Sequence, residues 1–512
     1  MDSLNILEPS RLCHIGDNWI SDVEIPSKLG IKSYHLCKTT DLLSNSNLGI
    51  YSGNLFKSCM FPKTIFQDEA QGFNSFLGVR CAWAVVANRI YDNPYITFKR
   101  DTDFNQNPFY VGYCALGMYM ISISRWILEN ESGCDSDHTI HFVARDGYLP
   151  KRAFDILNPN NSKIKTNYIH VSRRALLTAD MNCPYDLYSI YYKMNILNTS
   201  PSELIDCISI LFDCDTLEKI NREISVAFNN PLKKFANDSE YNQFIKYLID
   251  NYKDHMDFIK KDKCFRALFE DKIHPGDKIF DVGYGGRTEA ALSHIMGFPV
   301  DSYYIHTNSD VANTRGDVFG FKINVFYGHK PSITGVMREH LMMDMAPSTV
   351  GYDFKNNGPI FEKYSIDYPT YIMTDIAQNA AIQFCSDMKS IFGKDLSKLY
   401  WRAEDMSIPF EHYLHSSPYL DRKIFGNLVF EDKLGEGKTF NAVNFWNEDI
   451  SRVCHERNWA DCAAGSIGIC ECGQSNVKDV TTNDSEYTSI DYFIKKFLAL
   501  GCKLYKKFRN MQ

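Results

Sequence analysis

The chain has 512 residues, of which 44% are hydrophobic and 23% are charged, a composition that is typical of globular proteins and excludes a disordered or fibrous chain. At roughly 150 residues per domain, this length allows about three domains. The net charge of −8 provides no basic field that would hold DNA or RNA, so we expect no nucleic-acid partner. The 16 cysteines are scattered, and Met1–Pro9 has no basic segment followed by an apolar run, which favours reduced thiols in the cytoplasm.

The first motif lies near the N-terminus, where residues 11–36 read RLCHIGDNWISDVEIPSKLGIKSYHL. The pattern predicts a strand over Leu12–Ile15, a turn that carries Asp17, a helix that begins near Asp22, and a second strand after Gly30. The two aspartates lie five residues apart, at a strand end and a helix start, where both carboxylates can reach one Mg²⁺ ion. A solvent-exposed turn in which an aspartate caps the helix explains the same pattern.

The run HIGDNWISDVEIPSKLGI resembles the last motif of the haloacid dehalogenase-like phosphatases, in which a Gly-Asp pair, four residues and a second aspartate precede a helix ending in Gly-Ile. The resemblance implies that Asp17 and Asp22 hold magnesium in a partial phosphatase domain over residues 1–45. The nucleophilic and acid/base aspartates of that family lie far upstream of this motif, and no residue between Met1 and the motif matches them. We therefore expect this segment to be vestigial or incomplete, and to release no phosphate.

Residues 46–135 are predicted to form a linker followed by helices. The stretch from Leu42 to Phe73 is rich in Ser, Asn, Gly and Lys and has little periodicity, which is typical of a linker. Within Asn107–Asn130, the 16 residues from Phe109 to Ser124 carry no charge. Because a bilayer core requires roughly 20 apolar residues, we expect a buried helix rather than a membrane span.

Two strand-to-helix junctions rich in arginine follow at the start of residues 136–330. A strand over Ile140–Ala144 ends at Arg145, Asp146 and Gly147 just before a helix, and a strand over Tyr168–Ser172 ends at Arg173 and Arg174. Helix N-termini and arginine side chains both bind phosphate groups. Together the junctions predict a basic pocket of pyrophosphate size, whereas each taken alone is also explained by a turn with exposed arginines.

A third junction in the same region is rich in glycine. A strand that ends at Asp281 is followed by a turn and a helix start, which contain Gly283, Gly285, Gly286, Arg287 and Thr288. Glycines let the backbone approach a ligand closely, the helix N-terminus favours phosphate, and the aspartate can accept hydrogen bonds from ribose hydroxyls. A further strand over Tyr303–His306 continues the series. Repeated strand–helix units indicate an α/β fold with a parallel, Rossmann-like sheet whose ligands bind at the carboxyl ends of the strands.

The segment FDVGYGGRTEAAL resembles the ribose-phosphate loop of the type I phosphoribosyltransferases, and FVARDGYLPKRAFDIL followed by YIHVSRRAL is similar to that family's pyrophosphate loop and the basic strand after it. The family usually has two adjacent acids in the ribose loop, whereas Phe280 precedes Asp281 here. About a hundred residues separate Arg174 from Asp281, so we expect a large helical insertion over about 179–270. A phosphatase motif joined to such a module looks like bacterial capsule and O-antigen biosynthesis proteins.

This resemblance implies a glycosyltransferase that passes ribofuranose 5-phosphate from phosphoribosyl pyrophosphate to a glycan acceptor. The reaction must stabilise the leaving pyrophosphate and remove a proton from the acceptor hydroxyl. Arg145, Arg173 and Arg174, with Mg²⁺, are candidates for the first task, and Asp146 is the candidate base or metal contact. The implied substrate-binding residues are Gly147, Arg173, Arg174, Asp281, Gly283, Gly285, Gly286, Arg287 and Thr288.

Two alternative functions stay open. A strand, Asp281 and a glycine-rich turn also resemble the adenosylmethionine loop of methyltransferases, with Asp310 as a ribose partner, but this interpretation leaves the arginines without a role. The missing phosphatase nucleophile favours a second alternative, a haloacid dehalogenase-like hydrolase or scaffold made of degenerate enzyme domains.

Residues 331–485 form a mixed region without a clear motif, and its cysteines from Cys454 to Cys472 have irregular gaps that fit no standard zinc spacing. Residues 486–512 predict a basic amphipathic helix, and within it six basic residues and one acidic residue give residues 490–512 a net charge of +5. Such a helix either lies on anionic lipid or docks on the protein body. The first alternative implies a peripheral contact with the inner face of the cell membrane.

Overall fold

The structure, a computed structural model, is described in two compact units. Among the described residues, unit 1 comprises 8–122 and 375–424, and unit 2 comprises 123–374 and 425–446. The described residues are 8–46, 48, 69–93, 95–134, 136–158, 163–194, 196–228, 230–283, 285–307, 309–327, 336–362, 368–432, 438–441, 443, 444 and 446. The cysteines of residues 454–472 and the predicted tail helix of 486–512 lie outside them.

The protein is a mixed α/β protein, as the sequence predicts. The strands are β1 (Cys13–Gly16), β2 (Lys32–His35), β3 (His138–Val143), β4 (Ile164–Ile169), β5 (Lys278–Asp281), β6 (Asp301–Tyr304), β7 (Ile323–Val325), β8 (Thr349–Asp353), β9 (Gly358–Phe361), β10 (Val429–Asp432) and β11 (Lys438–Asn441). The main helices are α1 (Ile25–Lys28), α2 (Thr39–Asn45), α3 (Glu69–Ile90), α4 (Gly117–Asn130), α5 (Tyr148–Leu157), α6 (Ile190–Lys193), α7 (Pro201–Ile208), α8 (Cys214–Ala227), α9 (Asp238–Tyr252), α10 (Phe258–Phe269), α11 (Arg287–Met296), α12 (Ser309–Phe319), α13 (Val336–Met342), α14 (Tyr368–Phe392), α15 (Ala403–Ser416) and α16 (Tyr419–Arg422).

Unit 2 is built on a five-stranded sheet with the order β4-β3-β5-β6-β7, in which every neighbouring pair is parallel. The chain enters the sheet at β3 and moves outward to β4. It then returns to the other side of β3 with β5 and continues to β6 and β7. The connections that leave β3 and β5 therefore run in opposite directions, which opens a crevice between the carboxyl ends of these two strands.

Both faces of the sheet are buried. Neighbouring residues on β3 and β5 point to opposite sides of the sheet, and apolar side chains pack against them on each side. Phe142 packs on Phe280 and on Phe154 from α5, with ring centroids 5.2 Å and 5.8 Å apart. Val143 and Ile279 belong to a second apolar cluster on the other face, which includes residues of α10 and α11. Helices therefore cover the sheet on both sides.

Two predicted strands end two or three residues earlier in the structure than the sequence predicts. β4 ends at Ile169, which pairs with the last residue of β3, so the predicted strand over Tyr168–Ser172 is wrong and Arg173 lies four residues beyond the strand end. β6 likewise ends beside the end of β5, two residues before the predicted end at His306. A strand ends where its hydrogen-bonding partner ends, and the apolar pattern of one segment does not contain that information.

The chain between β4 and β5 forms the expected helical insertion, with α6–α10 inside residues 179–270. Most of these helices share an apolar core of their own, which includes the fully buried Leu187, Ile205 and Phe244. This segment therefore packs largely around itself.

A long apolar helical stretch begins in unit 1 and ends in unit 2. It runs from Pro108 through a π-helical segment, Val111–Leu116, into α4. Within the residues that the structure describes, Pro108–Asn130 is the one helix long and apolar enough to cross a bilayer, and 83% of its most apolar window is buried inside the protein. The burial agrees with the predicted core helix, although the helix is longer than its uncharged stretch indicated.

The predicted linker over Leu42–Phe73 is helical at both ends, since α2 extends to Asn45 and α3 begins at Glu69. Leu43 is fully buried, and the Tyr91 hydroxyl donates a hydrogen bond to Ser46 over 2.7 Å. Tertiary packing therefore outweighs the weak helix propensity of this Ser- and Asn-rich sequence.

A buried carboxylate organises a tight loop in unit 1. Asp421 is fully buried and accepts hydrogen bonds from the backbone N–H groups of Asp103, Phe104 and Gln106 over 2.5, 3.0 and 2.9 Å. The loop needs this support because Asn105 and Gln106 have positive φ angles, which cost free energy in non-glycine residues. Asp421 thus holds a strained backbone in place.

We expect Asp421→Asn to destabilise unit 1 by about 3 kcal/mol, because an amide places N–H donors against backbone N–H donors in a buried site. Thermal unfolding of the full chain measures this effect. The control is Asp395→Asn, because Asp395 is exposed and pairs only with Lys398 in this part of the structure, so its loss should cost less than about 0.5 kcal/mol. Equal melting temperatures for the two variants would contradict the role of Asp421.

Candidate functional site

Two of the predicted loops meet at the crevice between β3 and β5. The first contains Arg145, Asp146 and Gly147 and follows β3, and the second runs from Val282 to Arg287 and follows β5. Because β3 and β5 are hydrogen-bonded neighbours, the loops at their carboxyl ends lie side by side. This edge of the sheet is where doubly wound α/β proteins bind their ligands.

The first loop turns sharply because of Gly147. Its N–H donates to the carbonyl oxygen of Val143 over 2.8 Å, and a Cβ atom at this position would lie 2.7 Å from the same oxygen. A side chain does not fit there, so glycine allows the chain to fold back onto the end of β3. The turn leaves Arg145 and Asp146, which are joined to β3 through the cis peptide bond Ala144–Arg145, at the edge of the crevice.

The second loop depends on two glycines with positive φ. Gly283 has φ +131°, and a Cβ atom there would overlap the carbonyl oxygen of His306. Gly286 has φ +67° and stands at the N-cap of α11. The loop therefore lies against the backbone after β6 and delivers the chain directly into α11, in whose first turn Thr288 is buried.

Three carboxyl groups gather beneath these loops. Burial, followed by the negative charges of Glu339 and Asp281, raises the pKa of Asp146 well above its usual range, while Arg145 and Arg173 oppose the rise. Burial and the charge of Glu289 raise the pKa of Asp281 to about 7. Burial also raises the pKa of Glu289 to about 7. The site thus holds acids that take up and release protons near neutral pH.

Glu289 is the most enclosed of these acids. Its side chain is fully buried, and one carboxylate oxygen accepts a hydrogen bond from the Tyr304 hydroxyl. The other oxygen has no hydrogen-bond partner among the residues that the structure describes. A buried carboxylate with one unsatisfied oxygen raises the energy of its charged form, and this agrees with the direction of its pKa shift.

Arginines surround the same loops. The guanidinium of Arg315 donates a hydrogen bond to the carbonyl oxygen of Gly285. The guanidinium of Arg287 donates to the carbonyl oxygen of Lys193 over 3.0 Å. Burial, followed by the positive charges of Arg315 and Arg173, lowers the pKa of Arg287. An anion bound among these positive charges would offset their repulsion.

Arg174 does not join this group. Its charge lowers the pKa of both Asp206 and Cys207, against the larger effect of burial, and these residues belong to α7 in the helical insertion. The predicted pair of arginines therefore separates, with Arg173 facing the acids and Arg174 facing the insertion. The separation follows from the early end of β4, because both residues lie in turns rather than on a strand.

The region after residue 330 supplies further site residues, although its sequence shows no motif. Asp344 donates its backbone N–H to the carbonyl oxygen of Arg145 over 3.0 Å, and its carboxylate accepts from the Tyr168 hydroxyl over 3.3 Å. Burial and the charge of Arg145 lower the pKa of His340 to about 3. With Glu339, these residues form one side of the site. The available sequence signal was the run Arg338, Glu339 and His340, which stands between apolar residues in α13.

The N-terminal turn satisfies its two aspartates locally. Asp17 pairs with the ammonium of Lys38, and this hydrogen bond lowers its pKa. Asp22 accepts from the backbone N–H of Asn18 over 2.8 Å and from Ser21 and His14 over 3.1 Å each, which lowers its pKa. These partners satisfy both carboxylates without a metal ion, so we derive no magnesium-dependent step at this turn. Magnesium binding there stays a prediction.

The cap of this turn differs from the expected aspartate. Asn18 accepts hydrogen bonds from the N–H groups of Ile20 and Ser21, and the helical segment begins at Trp19 rather than near Asp22. Asp22 instead folds back so closely onto Gly16 that a Cβ atom on this glycine would overlap its carboxylate. The Gly-Asp pair of the motif therefore has a local packing role.

Comparison of the sequence with models of known protein families and with curated proteins gives no match. The function must therefore be inferred from the chemistry of the site.

We expect Gly283→Ala to destabilise unit 2 by about 3 kcal/mol or more, because it combines a forbidden φ angle with overlap of a carbonyl oxygen. Gly276→Ala is the matched control, since Gly276 has φ +93° with open space around it, and should cost about 1 kcal/mol. Thermal unfolding of both variants separates backbone strain from overlap. Equal losses of stability in the two variants would contradict the close approach of Gly283 to the backbone after β6.

The raised pKa values of Asp281 and Glu289 predict a loss of stability with rising pH. The folded chain keeps these protons up to a pH of about 7, whereas the unfolded chain loses them near pH 4. Their contribution is thus complete below pH 4 and is lost as the pH rises to 7, by up to about 1.4 kcal/mol per pH unit and group. The melting temperature should fall between pH 5 and pH 8, and fall less in Glu289→Gln. Glu218→Gln is the control, because Glu218 is exposed, and its melting temperature should follow that of the wild type. An equal fall of the melting temperature with pH in Glu289→Gln and the wild type would refute the prediction.

Proposed function

We propose that unit 2 is a phosphoribosyltransferase-like domain on a Rossmann-like sheet, and that it transfers ribofuranose 5-phosphate from phosphoribosyl pyrophosphate to a glycan acceptor on the cytoplasmic side of the membrane. One observation carries this proposal. Acids and arginines lie close enough around the crevice between β3 and β5 for their charges to act on one another, and the glycine-rich loop and the N-terminus of α11 also lie there. Hydroxyl groups suit the acids, and phosphate groups suit the arginines and the helix N-terminus.

The residues divide the substrate between them. In this proposal the loop from Gly283 to Thr288 holds the 5-phosphate through backbone N–H groups, helped by Arg287. Asp281 accepts hydrogen bonds from the ribose hydroxyls, and Arg145 and Arg173 bind the pyrophosphate. Magnesium enters with the substrate, as its complex with phosphoribosyl pyrophosphate, and reduces the charge on the leaving group.

The transfer needs one proton acceptor. The bond between the anomeric carbon and the pyrophosphate oxygen breaks, pyrophosphate leaves with the bonding electrons, and an acceptor hydroxyl attacks the same carbon. Asp146 takes the proton of that hydroxyl. The position of Asp146 in the turn directly after β3, beside Arg145, supports the assignment, because it places the carboxyl group at the edge of the crevice.

The N-terminal turn adds nothing to this reaction. We propose that residues 1–45, a partial haloacid dehalogenase-like segment, contribute packing rather than hydrolysis. The local hydrogen bonds of Asp17 and Asp22 support this proposal, which predicts no magnesium-dependent release of phosphate from a ribose 5-phosphate glycoside.

Calorimetric titration with magnesium phosphoribosyl pyrophosphate tests the main proposal. We expect saturable binding to the full chain and a roughly 10- to 150-fold weaker affinity for Arg173→Ala, because a charge-assisted hydrogen bond contributes about 1.5–3 kcal/mol. Arg222→Ala is the control, because Arg222 is an exposed arginine of α8 in the helical insertion. This variant should bind phosphoribosyl pyrophosphate as the wild type does.

Two results would contradict the proposal. Heat from adenosylmethionine and none from phosphoribosyl pyrophosphate would favour the methyltransferase alternative. Unchanged affinity in Arg173→Ala, with a large loss in Arg174→Ala, would contradict the arrangement of the two arginines derived from the structure.

A further inference from the structure

A group of potential metal ligands lies at the opposite edge of the same sheet. One ligand atom each from Glu131, Cys134 and His138 lies within 4.8 Å of the other two. Among the residues that the structure describes, this is the one group of at least three His, Cys, Asp or Glu side chains that meets such a limit. The group stands at the amino ends of the strands, away from the crevice.

A short turn brings the three residues together. Glu131 directly follows α4, the N–H of Cys134 donates to the Glu131 carbonyl oxygen over 3.0 Å, and His138 is the first residue of β3. Glu131 and His138 are buried, whereas Cys134 is exposed. The cluster thus has two fixed members and one that solvent reaches.

The hydrogen bond of His138 leaves its second ring nitrogen facing Glu131. Nδ1 lies 3.1 Å from the carbonyl oxygen of Ser136, which only accepts, so Nδ1 is the donor. Nε2 lies 3.2 Å from the Oε2 atom of Glu131, and neither of these buried atoms has a hydrogen-bond partner among the described residues. A positive charge between the two atoms satisfies both of them, either as a proton in an ion pair or as a metal ion that both atoms bind.

The other oxygen of Glu131 is firmly held. Oε1 accepts from the ammonium of Lys278 over 2.8 Å and from the hydroxyl of Tyr303 over 2.5 Å. These contacts orient the carboxylate so that Oε2 faces His138. Metal-binding histidines and carboxylates characteristically have such partners on the atoms that do not touch the metal.

We propose that Glu131 Oε2, Cys134 Sγ and His138 Nε2 bind one Zn²⁺ ion, with water as the fourth ligand. Carboxylate, thiolate and imidazole are all zinc ligands, at about 2.0–2.3 Å from the metal. These lengths place neighbouring ligand atoms about 3.3–3.8 Å apart in a tetrahedron, so the cluster needs only a small contraction. The exposed Cys134 side chain can provide it, and its thiol releases one proton to solvent on binding.

The position of the site indicates a structural role. The ion would join the end of α4 to β3 directly, and to β5 and β6 through Lys278 and Tyr303. Ligands of doubly wound sheets bind at the carboxyl edge instead. Zinc binding should therefore stabilise unit 2, and this inference does not depend on the proposed function.

Metal content and cobalt spectroscopy of the full chain test the proposal. After loading with Zn²⁺ and gel filtration, Cys134→Ser should contain one zinc equivalent fewer than the wild type, as should His138→Gln. Co²⁺ should produce a thiolate-to-cobalt charge-transfer band that Cys134→Ser lacks. Cys264→Ser controls for a cysteine elsewhere in unit 2, and Cys470→Ser with Cys472→Ser controls for the C-terminal cysteines; both should keep the band.

Thermal unfolding provides an independent measurement that does not require the buried histidine to be changed. A strong chelator should lower the melting temperature of the wild type and leave that of Cys134→Ser unchanged, because bound metal adds its binding free energy to folding. Equal zinc content and identical cobalt spectra in the wild type and Cys134→Ser would overturn the proposal. Glu131 and His138 would then form an ion pair only.

Discussion

The reversal of strand order between β3 and β5 is the constraint on which the candidate site depends. Connections that leave two adjacent parallel strands in opposite directions cannot fill the space above them, so the loops there carry exposed backbone and charged side chains. Asp146 and Asp281 come together at this point. Burial, with the charges of Glu339 and Asp281, raises the pKa of Asp146, and burial, with the charge of Glu289, raises the pKa of Asp281. The nearby arginines offset part of this cost. A ligand with hydroxyl and phosphate groups would offset more of it.

The two edges of the sheet solve different problems. At the amino edge, Glu131 receives hydrogen bonds from Lys278 and Tyr303, so one carboxylate links β5 and β6 with the end of α4. At the carboxyl edge, Glu289 receives one hydrogen bond and keeps one oxygen unsatisfied. The carboxylate at the amino edge is thus stabilised by its hydrogen bonds, whereas the carboxylate at the carboxyl edge is in an unfavourable electrostatic environment. Ionisable groups in such environments are concentrated at functional sites.

Local patterns were enough to predict the series of strand–helix units and the glycine-rich turns, because strand alternation, Gly147 and Gly283 act within a few residues. The end of β4 was not predictable, since it depends on where β3 stops. The direction of Arg174 depends on the packing of the helical insertion. Asp344 joins the site through a hydrogen bond to Arg145, about 200 positions earlier in the chain, and no motif marks such a contact. The pairing order of the strands also had to come from the structure.

The insertion between β4 and β5 has a consequence for how the chain folds. Ile140 pairs with Lys278, 138 positions later, and closing so long a loop from a disordered chain costs entropy and slows folding. Because the intervening helices have a core of their own, they can collapse before the strands pair, which shortens the effective loop. The order of events during folding would then be helices first, central strand pair second, and the binding crevice last.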